Sequence, residues 1–143
     1  MPATVSRQLV ESFHDALASG DASRIAAFVA DDVDWLLVGP VDFMHFCGQR
    51  RTRAEVFELF HRLIPEVLDV AAYDHEYVLI DQDRVASLAR FTATQRSTGR
   101  IISYRFATFM RFRDDRIVEY RTVTDTLYAV EQMLGRHVDL SAA

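Results

Sequence analysis

An α+β fold is predicted by three observations on this sequence. Apolar residues recur at helical spacing before residue 67, a period of two follows, and turn-forming pairs separate the later apolar runs. Helices that precede an antiparallel meander can pack on only one face of its sheet. The 143 residues, half of them hydrophobic, are the size of one domain with a substantial core. We therefore expect a single domain over residues 1–143.

Two helices are predicted to form a hairpin at the start of the chain. Apolar residues recur at helical spacing from Val5 to Leu17, and Gly20 stands where a helix C-terminal glycine belongs. Asp21 can cap a second, shorter helix, whose apolar stripe we expect to reach Val29.

A buried strand, an aromatic loop and a third helix are predicted next. The run VDWLLV at 33–38 ends at a Gly-Pro turn, which is typical of a mostly buried strand. The stretch GPVDFMHFCGQRR at 39–51 is rich in aromatic residues, so we expect a loop that covers something apolar, with Phe43, Met44 and Phe46 as a lid. A capping box at 52–55 starts the third helix, and Pro65 is expected to end it.

Four long strands and a short helix complete the prediction. The strands are expected near 67–80, 84–96, 100–113 and 116–124, because short polar turns separate them. In the third strand, alternate residues from Tyr104 to Phe112 are expected to face inward, and Arg105, Arg111 and Arg113 outward. A terminal helix closed by Gly135 follows.

Charge and cysteine content exclude several classes of protein. The 16 basic and 21 acidic residues give a net charge of −5, which argues against a surface that binds nucleic acid. The single Cys47 excludes an internal disulfide framework and a four-cysteine zinc site, and it is compatible with a reducing compartment. The first 20 residues contain charges throughout and no continuous apolar run. We expect a cytoplasmic protein with no membrane or nucleic-acid partner.

Four short motifs carry a resemblance to a known family. They are Ala18–Asp21, Ala30–Asp32, Gly48 with Arg50-Arg51, and Ile117–Tyr120 together with Gln132–Gly135. Their order and spacing resemble the NTF2-like superfamily, and most closely its SnoaL-like and ketosteroid-isomerase-related members. The resemblance implies an α+β cone, in which a curved antiparallel sheet wraps around the N-terminal helices and encloses an apolar pocket. It also implies a homodimer formed through the outer sheet face.

The catalytic residues of classical ketosteroid isomerases are absent from the matching positions. The resemblance places the carboxylate base at Leu37, the helix-one tyrosine at Phe13 and the strand acid at about Thr108. Leucine cannot abstract a proton, so classical isomerase chemistry of this kind is disfavoured.

Two other catalytic patterns of the superfamily are also incomplete. An Arg-x-Asp pattern of limonene-epoxide-hydrolase type has its nearest match at Arg90-Phe91-Thr92, where threonine cannot act as the acid. Chemistry of scytalone-dehydratase type needs two pocket histidines. The five histidines, at 14, 45, 61, 75 and 137, show no spacing that would place two on one strand face.

Two residues remain as catalytic candidates, and each has a structural alternative. Asp125 matches the acidic base of SnoaL-like cyclases, but an Asp before residues 127–130 is also a typical N-cap of a terminal helix. His45 is the one titratable imidazole on the aromatic loop and is suited to acid–base work, or it bonds only to backbone. We expect Asp34 to face solvent or an arginine, and Arg90 to pair with an acid rather than bind an anion.

The sequence predicts a protein with a small-molecule pocket. The expected activity is that of a SnoaL-like isomerase or lyase acting on an apolar compound, and cyclic compounds are one candidate class. The alternative is a non-catalytic ligand-binding or dimerisation module. No cofactor or metal is expected, because no ligand-like His, Cys or carboxylate spacing accompanies His45. The expected pocket wall consists of Phe13, Trp35, Leu37, Phe43, Phe60, Tyr104, Phe106, Thr108 and Tyr120.

Overall fold

A computed structural model describes residues 3–142, and its centre is a six-stranded sheet in the order β2-β1-β6-β5-β4-β3. The strand β1 pairs with β6 in parallel and with β2 antiparallel, and the remaining pairs are antiparallel. The strands are β1 (Val29–Leu37), β2 (Gly48–Thr52), β3 (Leu68–Asp81), β4 (Arg84–Gln95), β5 (Ile101–Arg113) and β6 (Arg116–Thr124).

The helices lie mostly before the meander and pack on the concave face of the sheet. They are α1 (Arg7–Ser19), α2 (Ala22–Ala26), α3 (Arg53–Glu58), a π-helical turn (Leu59–Leu63), α4 (Ile64–Val67), α5 (Thr126–Leu134) and a final 3-10 turn (Leu140–Ala142). The predicted α+β fold with a curved sheet around the N-terminal helices is confirmed.

The predicted helix caps at Gly20, Asp21 and Thr52 are also confirmed. Gly20 ends α1 with a φ of 68°, a left-handed conformation that glycine adopts without steric cost. Asp21 accepts hydrogen bonds from two backbone N–H groups of α2. The Thr52 hydroxyl accepts from the N–H of Glu55 at 3.2 Å, and the Glu55 carboxylate accepts from the N–H of Arg51 at 3.0 Å. Local capping chemistry therefore fixes where these helices start and stop.

Three boundary predictions were wrong. The stretch 39–51 is not loop throughout, because Gly48–Thr52 forms the edge strand β2, whose charged sequence lacks the apolar alternation that reveals a strand. The strand β1 begins at Val29, which had been assigned to the second helix. Pro65 does not end the helix. A π-helical turn precedes α4, so Pro65 lies in the first turn of α4, where a residue needs no backbone N–H for the hydrogen bonds of the helix.

Alternation along the sheet separates an inner from an outer face. Even-numbered residues from Ile102 to Phe112 of β5 are buried or half-buried, and odd-numbered ones such as Arg105 and Phe109 lie on the outer face. The inner face packs on Phe13 and Leu17 of α1, and the space that these side chains leave unfilled is the cavity described next.

Candidate functional site

An apolar cavity of about 70 Å³ lies between the concave face of the sheet and the helices. At the ~10–15 Å³ that one enclosed water requires, this space holds roughly five waters or a ring of about six atoms. Its rim includes Val38, whose side chain is exposed. The apolar wall consists of Leu17, Leu37, Val38, Met44, Phe46, Phe60, Ile64, Leu68, Phe91 and Phe106.

The polar part of the wall contains hydroxyl groups and one thiol. These groups belong to Cys47, Tyr73, Tyr104, Tyr120, Thr122 and Thr124. Within residues 3–142, no Asp, Glu, His, Lys or Arg contributes to the wall. The site therefore offers hydrogen bonds from uncharged groups and no side-chain charge.

Burial keeps these phenols and the thiol protonated at neutral pH. It raises the pKa of Tyr120 to about 12, although a hydrogen bond with Thr108 acts in the opposite direction. It also raises the pKa values of Tyr73 and Tyr104 above the usual range, with smaller contributions from neighbouring groups. Burial raises the pKa of Cys47 to about 11, and the Arg50 charge opposes this shift. These groups act as hydrogen-bond donors, not as bases.

A stack of aromatic rings supports the cavity from behind. The Trp35 indole lies parallel to the Tyr120 ring with centroids 3.8 Å apart, and Phe60 meets the indole edge-on at 5.9 Å. The ring of Phe13 contacts Tyr120 edge-on at 6.1 Å. Trp35 Nε1 is sealed from solvent and has no hydrogen-bond partner in the described part of the chain. This packing fixes the orientation of Tyr120.

Residues 38–47, here called the lid loop, close one side of the cavity. Met44 and Phe46 are buried and line the cavity, as predicted for a lid. A single buried side chain, Arg50, holds the loop: its guanidinium donates to the carbonyl oxygens of residues 46, 47 and 48 at 2.7, 3.0 and 3.3 Å. A further contact reaches the carbonyl oxygen of His45 at 3.5 Å. Arg50 thus hydrogen-bonds the lid loop, in addition to the burial of Met44 and Phe46 and to the backbone hydrogen bonds within the loop.

Phe43 lies outside the cavity, contrary to prediction, and so does His45, whose position relative to the pocket the sequence left open. Both are exposed, Phe43 with 39% of its surface accessible. Residues 44, 46 and 47 of the lid loop turn inward, so their neighbours at 43 and 45 turn outward. His45 lines an outer polar groove with Glu55 and Glu58. The position of His45 therefore does not support the pocket role considered for it.

Asp125 caps a helix, and it does not line the cavity. Its carboxylate accepts a hydrogen bond from the N–H of Tyr128 at 3.3 Å, and the residue is exposed. This arrangement matches the structural alternative weighed for Asp125. Asp125 is not among the residues that line the cavity.

The structure brings five of the predicted pocket residues to the wall, namely Leu37, Phe60, Tyr104, Phe106 and Tyr120. Phe13, Trp35 and Thr108 are buried behind it. Phe13 and Trp35 lie one layer deeper because their rings pack against the Tyr120 ring, which itself lines the cavity. The prediction placed these three residues one layer too close to the ligand space.

Two further expectations about charged residues have different outcomes. The Asp34 carboxylate accepts from the side chain of Gln49 at 2.7 Å and lies 3.9 Å from Arg121, so its assignment to the outer surface is confirmed. Arg90 donates to the Ser103 hydroxyl at 3.3 Å, and no ion pair of Arg90 occurs within residues 3–142. The prediction that Arg90 pairs with an acidic residue is therefore wrong.

Sequence reasoning missed a histidine pair and several wall residues, among them Cys47 and Tyr73. His14 of α1 and His75 of β3 stack with ring centroids 3.6 Å apart, although no sequence spacing links them. Cys47 and Tyr73 both line the cavity. The sequence suggested only a reducing compartment from Cys47 and only a strand position for Tyr73. Inward alternation on β3 was the available signal for Tyr73, but two register shifts in the β3–β4 pairing weaken that signal.

Fold and site together define a cone-shaped α+β protein with an apolar cavity that opens at a rim. The sequence model of the SnoaL-like domain family matches residues 10–120. The chain belongs to this family, and the predicted membership of the NTF2-like superfamily is confirmed.

Solved structures agree with this assignment. A provisionally named isomerase from Rhodopseudomonas palustris is 35% identical, with a TM-score of 0.78 and coverage of 90% of this chain and 94% of that one. An NTF2-like protein from Burkholderia thailandensis is 24% identical over 88% and 95% of the two chains, with a TM-score of 0.77. A protein of ketosteroid-isomerase-like fold from Catenulispora acidiphila, solved with trimethylamine, is 13% identical over 90% and 93%, with a TM-score of 0.75.

No curated protein matched the sequence. Within residues 3–142, no helix has the length and apolar character needed to cross a membrane. The same residues contain no group of three or more His, Cys, Asp or Glu arranged to hold a metal ion.

Proposed function

We propose that this chain binds a compact, largely apolar, cyclic compound in the enclosed cavity. The observation that carries the proposal is the wall, in which ten apolar side chains surround a few uncharged hydrogen-bonding groups. Small-molecule sites are mostly apolar, and a few placed polar groups in them orient the ligand. The size of the cavity limits the enclosed part of the ligand to a ring of about six atoms.

A cavity-filling variant tests this proposal. Thr122 is buried and lines the cavity, and Val123, the next residue of β6, is exposed on the opposite face. Thr122→Phe places a ring in the cavity at a packing cost of about 1–3 kcal/mol, and Val123→Phe is the matched control. Binding of small cyclic compounds is measured by NMR chemical-shift titration.

The proposal predicts that Thr122→Phe abolishes binding and that Val123→Phe retains it. The unfolding temperature of both variants establishes that each is folded. Equal binding by Thr122→Phe and the unchanged protein would place the ligand elsewhere and refute the proposal.

Isomerase or lyase activity is the second proposal. It is supported by the provisional name of the 35% identical Rhodopseudomonas palustris protein and by phenols that can polarise a carbonyl group as hydrogen-bond donors. The wall residues of the described chain include no carboxylate or imidazole base, which favours the non-catalytic alternative. Neither His45 nor Asp125 reaches the ligand space, so we assign the proposed chemistry to Tyr104 and Tyr120.

Deuterium exchange distinguishes catalysis from binding alone. Each compound that binds is incubated in D₂O, and the loss of protons next to its carbonyl group is followed by NMR. Catalysis predicts exchange above the rate in buffer, reduced in Tyr104→Phe and Tyr120→Phe. Exchange at the buffer rate for every bound compound would leave the ligand-binding module as the function.

We also propose a homodimer through the outer sheet face. Apolar side chains are exposed there on three strands, namely Tyr77, Leu79, Phe109 and Val123. The ion pair of Arg111 with Glu119 at 2.8 Å borders this patch, and a rim of this kind is typical of protein interfaces. The distribution of exposed apolar surface thus supports this face over the others.

A matched pair of charged substitutions tests the dimer. Phe109→Asp places a carboxylate in the patch, and Phe43→Asp places one on the lid loop, where a phenylalanine is also exposed. Analytical ultracentrifugation should show a dimer for the unchanged protein and for Phe43→Asp, and a monomer for Phe109→Asp. A monomer in all three would rule the dimer out.

We propose that the protein works in the cytoplasm. The sole cysteine, Cys47, is a free and buried thiol, which a reducing compartment preserves. Fractionation of the source cells with an antibody against this chain tests the location.

A further inference from the structure

We infer that the ligand carries a carboxylate on a short chain, that the chain leaves the cavity beside Arg96, and that the Arg96 guanidinium binds the carboxylate. This inference rests on the proposed binding function. It adds the chemical class of the ligand, a ring compound with an acidic side chain, and the residue that selects this class.

A second space, here called the side cleft, lies next to the cavity. It has a volume of about 180 Å³ and lies between the end of α1, α4 and the start of β3. Five residues line both spaces, namely Leu17, Phe60, Ile64, Leu68 and Tyr73. At these residues a single layer of side chains is all that lies between the cavity and the side cleft. A ligand longer than the cavity can therefore extend into the side cleft without crossing the sheet.

This layer of side chains includes an irregular part of a helix and a residue that is partly open to solvent. Phe60 lies in the π-helical turn, and Ile64 follows that turn directly. Single π-helical turns are frequent at functional sites. Phe60 and Ile64 are buried, whereas Tyr73 of β3 is only half-buried. We expect the chain of the ligand to pass beside Tyr73, where the layer is already partly accessible.

Arg96 lines the side cleft and has two free nitrogen atoms. Its backbone N–H donates to the carbonyl oxygen of Val67 at 2.9 Å, and its Nε donates to the carbonyl oxygen of Pro65. These two hydrogen bonds hold the residue against the end of α4. No hydrogen bond or ion pair of Nη1 or Nη2 occurs within residues 3–142. A guanidinium that is held at Nε and free at both Nη atoms can bind the two oxygens of one carboxylate.

The negative groups of the side cleft do not pair with Arg96. Asp69 lines the cleft and is exposed, and it forms no ion pair in the part of the chain that the structure describes. The end of α1 carries partial negative charge. Two carbonyl oxygens of this end, at residues 16 and 17, already accept from Ser19 Oγ at 2.6 Å and from the N–H of Gly20 at 3.2 Å. The charge of Arg96 thus remains available to an anion, and we expect Asp69 to weaken the binding.

The test uses cyclohexyl compounds whose chains end in different groups. Cyclohexylalkanoates with chains of three to five carbons are titrated by NMR, and the tightest binder is compared with its neutral amide and with the amine of the same length. Dissociation constants are measured for the unchanged protein, for Arg96→Gln and for Arg24→Gln. Arg24 is an exposed arginine that lies outside the side cleft. The unchanged protein is expected to bind the carboxylate about fivefold more tightly than the amide, as for one partly exposed charged pair.

Four variants or conditions assign this preference to Arg96 and to the cavity. In Arg96→Gln the carboxylate and the amide should bind within about twofold of each other, and Arg24→Gln should keep the preference. Asp69→Asn should increase the preference, because a like charge is removed from the cleft. Sodium chloride at about 0.5 M should reduce the preference, because the pair is exposed to solvent. Thr122→Phe should abolish binding of the carboxylate, because its ring then has no space in the cavity.

Each outcome bears on the inference. Equal binding of the carboxylate and the amide by the unchanged protein would overturn the inference and leave the proposed binding function intact. Tightest binding of the amine would overturn it as well, and so would carboxylate binding that persists in Thr122→Phe. If none of these compounds bound while unsubstituted cyclic compounds did, the inference alone would fail. The comparison among compounds in the unchanged protein requires no variant to fold.

Discussion

Replacement of Arg50 tests whether one side chain keeps the lid loop closed. In Arg50→Met the side chain retains an unbranched apolar stem but is shorter and loses every donor to the loop. The two short contacts, at 2.7 and 3.0 Å, are hydrogen bonds from a charged donor, worth about 1.5–3 kcal/mol each. Burial of the Arg50 charge is unfavourable and lowers the pKa of its guanidinium. Because Arg50→Met removes this buried charge, part of the lost hydrogen-bond energy is offset. We expect the loop to be destabilised by about 2–3 kcal/mol.

The sole cysteine provides the assay. Cys47 ends the lid loop and is only 5% exposed, so we expect a thiol reagent to reach it faster when the loop opens. A destabilisation of about 2–3 kcal/mol predicts labelling roughly 30- to 150-fold faster at pH 8. Urea unfolding, followed by circular dichroism, separates local opening of the loop from global unfolding. Labelling of the denatured chains corrects for thiol reactivity.

Two control variants accompany this test. Arg62→Met removes an exposed arginine that pairs with Glu58 at 2.9 Å and Glu66 at 3.3 Å, and its effect should stay below about 1 kcal/mol. Arg50→Lys keeps the charge with fewer donors and should label at an intermediate rate. If Arg50→Met labelled at the rate of the unchanged protein, the arginine would not be what holds the loop.

Three further predictions concern capping and ionisation. Asp125→Ala should lower the free energy of unfolding in urea by about 1 kcal/mol, because the N-cap of α5 is lost, and unchanged stability would contradict this role. His14 has its pKa lowered from 6.5 to about 3, by burial and then by His75. The folded state binds this proton less readily than the unfolded state does. The free energy of unfolding therefore has its full value above about pH 6.5 and decreases by about 2–4 kcal/mol as the pH falls towards about 3. His14→Phe should flatten this slope in acid titrations of unfolding, and a persisting slope would point to other groups. Ultraviolet titration should show Tyr120 ionising near pH 12 in the folded protein, and a midpoint near 10 would mean that its hydroxyl is hydrated.

Elements with strong local signals could be predicted from the sequence. The helix ends at Gly20 and Asp21 follow from caps that act within a few residues. The long strands of the meander alternate clearly, and their predicted bounds lie within one residue of the observed ones. The inward side of β5 placed Tyr104 and Phe106 on the cavity wall correctly.

The remaining features depend on contacts between distant parts of the chain. The edge strand β2 has a charged sequence and forms because β1 offers a pairing edge, which local periodicity does not report. The orientation of His45 depends on the turn conformation of the lid loop. The stacking of His14 on His75 joins residues 61 positions apart, and Cys47 reaches the cavity because Arg50 folds the lid loop over it. Spacing along the sequence contains no information about these contacts.

A crystal structure of the protein soaked with cyclohexanone tests the central claim most directly. The account predicts density for the ring within the wall formed by Leu37, Phe60 and Phe106, with its oxygen at hydrogen-bond distance from the hydroxyl of Tyr104 or of Tyr120. Density for the compound only on the outer sheet face or in the outer groove near His45, with the inner cavity empty, would contradict the account.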